Sequence, residues 1–93
     1  MGLRGIIEAI LDQLQPVRRD IARLESLAEA AYDAMYDAES YGVKDCYEDA
    51  SSHLADAIAL AKRAHMRRTA ARLAARKEHI ANVYNHQFRY AGR

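Results

Sequence analysis

Apolar residues recur along this chain at intervals of three and four, and the charged positions between them fall on the opposite side of a helical wheel. Leu3, Ile6, Ile7, Ile10, Leu11 and Leu14 form the first such face. Pro16 interrupts it. A proline has no N–H and its ring crowds the preceding turn, so the first helix is expected to be kinked or broken at Pro16. Gln15 is a poor N-cap, which favours the kink. The same period resumes at Val17 and continues through Ile21, Leu24, Ala28, Ala31, Met35 and Ala38, widened by Leu27 and Ala34. Gly42 suits a left-handed residue just past a helix end. Asp45, with Glu48 three residues on, reads as the cap of the next helix. The turn between them, Tyr41–Lys44, is short, and short turns make antiparallel neighbours.

Tyr47, Ala50, Leu54, Ala57, Ile58 and Ala61 then share one face. No glycine or proline occurs from Val43 through Ala91, so a single very long helix is formally open. The apolar stripe loses phase between Ala64 and Thr69, however, and Thr69 can cap, which places a turn at about 64–68. Met66, Ala70, Leu73, Ile80, Ala81, Tyr84 and Phe88 line the last helix, with Lys77 intruding on that face, its stem buried and its amine at the rim. These patterns predict an all-α fold. It is an antiparallel three-helix bundle made of a helical hairpin plus a C-terminal helix. The helices span about 3–40, 45–64 and 68–90 within a single domain over 1–93. The segment before Pro16 either caps the bundle or supplies a dimer surface.

Composition limits how much this bundle can bury. Hydrophobic residues make up 51% of the 93, but there is one Phe and no Trp, and alanine carries much of that share. Such a core is shallow, with a stability on the order of 5 kcal/mol or less for a monomer. Cys46 stands alone, so no intramolecular disulfide and no cysteine-based metal site is expected. Met1–Gln15 has an apolar face but also carries Arg4, Glu8 and Asp12, which argues against both a secretory signal and a spanning helix. The expectation is a soluble, cytoplasmic chain with no membrane partner.

Charge divides the chain. Residues 1–61 hold five basic and twelve acidic groups, whereas residues 62–93 hold nine basic groups and Glu78 alone. Either two parts of the fold neutralise each other, or one part faces an oppositely charged partner. His65, Arg68, Arg72, Arg76 and His79 fall on one sector of the last helix, spaced to track phosphates or to pair internally. A matching acidic ladder, Glu25, Glu29, Asp33 and Asp37, recurs every four residues on the preceding long helix, where like charges repel unless compensated. Internal pairing or solvation is the favoured reading. Tyr32, Tyr36, Tyr41 and Tyr47 gather about the first hairpin, and Tyr32 and Tyr36 lie one turn apart, as a rim of the core or as a binding surface.

Metal and enzyme chemistry find little support. Asp49, His53 and Asp56 share a face, and His79 and His86 lie two turns apart, but neither set has a di-iron or zinc spacing. No nucleophile motif, glycine-rich phosphate loop or paired carboxylate site is present, so neither an enzyme nor a cofactor is expected.

Tyr47, Glu48, Asp49, Ala50, Leu54, Ala57 and Ile58 follow the order of the second helix of a tetratricopeptide repeat. Ala28-Glu29-Ala30-Ala31-Tyr32 is similar to the opening of the first. The chain thus resembles a tetratricopeptide-repeat helix pair over a minority of its length. It departs from that family in a longer turn and in Lys62 standing near the place of the terminal proline. The resemblance implies a right-angled or antiparallel helix pair and, by analogy, a role in binding proteins. No repeat array accompanies it. The function expected is a small protein-interaction module, an adaptor or regulator, with Tyr32, Tyr36, Arg68, Arg72 and Arg76 as partner-binding residues. The alternatives are a nucleic-acid-binding regulator using the basic last helix, and a structural homodimeric bundle.

Overall fold

The computed structural model describes the backbone of residues 2–88 and the side chains of residues 5–7 and 14–88. Three helices account for most of it: α1 (Gly2–Asp37), α2 (Val43–Arg63) and α3 (Arg67–Val83). A 3₁₀ turn at Ser40–Gly42 joins the first two, and α3 runs on into a π-helical turn at Tyr84–Phe88. There is no strand among the described residues, and no helix there is long and apolar enough to cross a membrane. The fold is the all-α three-helix bundle that the periodicity predicts.

Of the two outcomes expected at Pro16, breakage does not occur. The proline sits inside a continuous helix of 36 residues. The segment before it therefore extends α1 instead of folding back over the bundle as a cap. The end of the third helix near Tyr90 lies outside the described residues.

The turns differ in detail from the sequence reading. The first lies at 38–42, ahead of the expected Tyr41–Lys44, and α2 starts at Val43. Asp45 is then in the first turn and not at the cap, which is Gly42 and makes no side-chain bond. Gly42 is not left-handed: its φ is −96° and its ψ −11°. The second turn spans Ala64–Met66, inside the expected window, but Thr69 lies within α3 and the residue at its cap is Met66.

That second turn has its own device. Met66 N–H donates to the Ala61 carbonyl at 2.8 Å, and His65 N–H to the Lys62 carbonyl at 3.1 Å. The two bonds are the nested pair of a Schellman motif, which satisfies carbonyls that α2 leaves open at its end. The motif needs a left-handed residue at its centre, and His65, at φ 59°, occupies it. Among non-glycine residues, histidine is one of those most often tolerated there.

Burial follows the stripes. Ile21 and Ala28 of α1 pack with Ala50, Leu54, Ala57 and Ala61 of α2 and with Ala70, Leu73 and Ile80 of α3, all of them buried, and Met35 and Val43 are buried as well. Helix α2 is the central one, and its small inner residues let α1 and α3 each approach it closely. The backbones of α1 and α3 stay further apart, bridged by long side chains. Contacts 25/72, 29/76 and 32/79 keep a constant separation, so α1 and α3 run parallel while α2 runs against both. The chain is an elongated body, 64 × 17 × 14 Å.

Candidate functional site

The gap between α1 and α3 gathers most of the residues that the sequence marks out. Glu25, Glu29, Tyr32 and Tyr36 recur every three or four residues and so stand on one side of α1; Arg72, Arg76 and His79 do the same on α3. With the helices parallel, Glu25, Glu29 and Tyr32 each meet the α3 residue level with them, Arg72, Arg76 and His79. Arg72 donates through Nη1 and Nη2 to the two carboxylate oxygens of Glu25, at 2.6 and 3.1 Å. Arg76 donates through Nε and Nη2 to those of Glu29, at 2.8 and 2.6 Å. Both are two-pronged pairs, the geometry in which guanidinium recognises carboxylate best.

Electrostatics reflect the pairing. The hydrogen bond from Arg76 holds the Glu29 carboxyl below its ordinary range, against the opposing effect of partial burial. The bonds to Glu25 and Glu29 push the Arg72 and Arg76 guanidiniums up. Half of the acidic ladder is compensated in this way. Asp33 and Asp37, further along α1, remain exposed.

The pairs continue into an aromatic row. The Arg76 guanidinium carbon lies 5.1 Å from the centre of the Tyr32 ring, a cation–π contact that joins the ionic part to the aromatic one. Tyr32 meets Tyr36 edge to face at 5.7 Å and His79 at 6.4 Å. The Tyr32 and Tyr36 hydroxyls are 3.2 Å apart, and this bond pushes the Tyr32 phenol up from its usual value. Tyr36 in turn meets Phe88 edge to face at 5.0 Å. The ring of Tyr36 is thus held on two sides while 53% of the residue stays exposed.

The five residues expected to bind a partner do not form one patch. Tyr32 and Tyr36 lie together at the end where α1 meets the first turn. Arg72 and Arg76 are engaged with Glu25 and Glu29. Arg68 stands exposed at the other end of the row and makes no ion pair or side-chain hydrogen bond to any described residue. Four turns of α1 separate the levels of Arg68 and Tyr36, about 22 Å at 1.5 Å per residue.

Two features lie outside the sequence reading. Tyr47 of α2 stacks face to face on Tyr84, with ring centres 4.1 Å apart and planes 3° from parallel. The expected gathering of four tyrosines at the first hairpin is therefore split: Tyr47 faces α3, and Tyr41, 84% exposed, projects from the 3₁₀ turn. At the opposite end, Lys62, His65, Met66, Arg67, Ala70, Ala71 and Ala74 line an open groove of about 420 Å³ with an apolar floor and basic rim. Its parts straddle the second turn, so only the folded chain assembles it. Among the described residues, no three His, Cys, Asp or Glu side chains converge as a metal site requires.

No protein-family model, curated protein or solved structure matches this chain.

Proposed function

We propose that the protein is a helical interaction module that binds a partner protein through the tyrosine end of the α1–α3 row. The observation that carries this reading is Tyr36. Its ring is braced edge to face by Tyr32 and Phe88, so it loses little freedom on binding, yet more than half of it faces solvent. Fixed, exposed tyrosines are the side chains that concentrate binding energy at interfaces, because they offer apolar area with a polar tip. Asp33 and Asp37 add exposed negative charge on the same helix, which favours a basic rim on the partner. The likeness to a tetratricopeptide-repeat pair points the same way, by analogy of helix packing alone.

The nucleic-acid reading stands second for a physical reason. Phosphate binding by the arginine stripe would have to displace carboxylates already bound in two-pronged fashion to Arg72 and Arg76, beside the acidic face of α1.

A photo-reactive phenylalanine analogue at position 36 tests the proposal in cell extract, with position 49 on the outer face of α2 as control. The expected result is a discrete adduct at 36, competed away by unlabelled wild type but not by Tyr36→Ala protein. Equal capture at both positions would remove the reading.

A further inference from the structure

The apolar positions of α1 keep one unbroken spacing along the helix. Leu3, Ile7, Ile10, Leu14, Val17, Ile21, Leu24, Ala28, Ala31 and Met35 follow one another in alternating steps of four and three, the spacing of a coiled-coil seam, and Pro16 does not shift its phase. From Val17 onward this seam is the α1 side of the core. The second turn marks where the cover ends. Met66 and Thr69 sit beside Arg18 and Ile21, so α2 and α3 stop level with them. The part of α1 from Gly2 to Pro16 reaches about 22 Å past that point at 1.5 Å per residue. There Ile6 and Ile7 are 57% and 54% exposed.

We propose that a second copy of this chain covers the open half of the seam, its own arm lying antiparallel along the first. Continuity with the bundle interface carries the choice of occupant and of direction. Inside the bundle the seam is packed by α2, which runs antiparallel to α1, and an arm of opposite direction prolongs the track on which α2 ends. A parallel partner would have to continue along the seam above Val17, which α2 and α3 already fill. An antiparallel pair sets position 3 level with position 14 and position 7 level with position 10, so that the apolar positions of two identical arms share one register. It also brings Arg4 to within one residue of the level of Asp12 on the second copy, whereas a parallel pair sets each charge level with itself. The arm carries two acidic groups and one basic, which disfavours an anionic lipid surface. This proposal is independent of the tyrosine reading, which concerns the other end of α1.

Sedimentation equilibrium over a concentration series, combined with directed disulfide formation, tests it. Two differently tagged proteins in a Cys46→Ser background carry Leu3→Cys and Leu14→Cys. The expected results are a reversible dimer of the wild type and, on mixing the two variants under mild oxidation, a mixed 3/14 disulfide exceeding either like pair. Wild type that stays monomeric throughout overturns the proposal. So does a predominance of 3/3 and 14/14 disulfides, which reports parallel arms. Monomers that instead co-sediment with phosphatidylcholine–phosphatidylserine vesicles, and lose that property on Ile7→Asp, overturn it in favour of a membrane surface.

Discussion

Arg76 joins three contacts: two bonds to Glu29 and the face of Tyr32. Arg72 has the carboxylate pair alone and is the more exposed of the two, at 56% against 35%. Truncating Arg76 should therefore cost more than truncating Arg72. Both losses are small because solvent screens each pair, on the order of 1 kcal/mol or less. The pH dependence follows from Glu29. Its carboxyl is held below the ordinary range, so its stabilisation is present above the unfolded-state value and is lost as pH falls through the folded one. Melting followed by circular dichroism should show the midpoint dropping on acidification through the carboxylate range, with a shallower drop in Glu29→Gln. An equal drop in both would show that the pair is inert. The stripe and the ladder were each legible in the sequence because each repeats every turn. Which rung meets which was not, since periodicity gives a face but no register between helices. The stacking of Tyr47 on Tyr84 escaped for the same reason.

At the scale of elements, the break between α2 and α3 was visible as a loss of apolar phase, while its chemistry was hidden. A search for turn residues looks for glycine, and here histidine fills the left-handed position. Left-handed backbone costs an L-residue roughly 1–2 kcal/mol, part of which glycine gives back through its greater freedom when unfolded. His65→Gly should accordingly raise stability by about 0.5–1 kcal/mol, read as a higher urea midpoint with an unchanged slope. Gly42 misled in the opposite sense, being a glycine with an ordinary helical φ. The face of α2 was read correctly from its spacing: Ala50, Leu54, Ala57 and Ala61 are all fully buried. Ala57 is fully buried in the core cluster that all three helices share, so Ala57→Leu should overpack the bundle and cost roughly 1–3 kcal/mol. Unchanged melting of that variant would mean the face is not the core.

The whole molecule is organised by α1, about 54 Å long at 1.5 Å per residue, against about 31 Å for α2. The all-α bundle could be read from the chain because stripes, short turns and a lack of breakers agreed. The continuous first helix was favoured by the poor cap at Gln15, but whether its first turns folded over the bundle or ran past it stayed open, because periodicity gives a face and not the direction a helix takes at a proline. With the helix continuous, one row of apolar positions divides into a half that serves the fold and a half that we propose a second copy covers. A matched pair of variants, Ile7→Asp and Ile21→Asp, tests that division most directly, each followed by circular dichroism melting in dilute solution and by sedimentation at high concentration. The account predicts that Ile21→Asp, which puts a charge into the core, abolishes the cooperative melt. Ile7→Asp should leave the dilute melt unchanged and abolish the dimer. Loss of the melt in Ile7→Asp, or a dimer that survives it, would contradict the account.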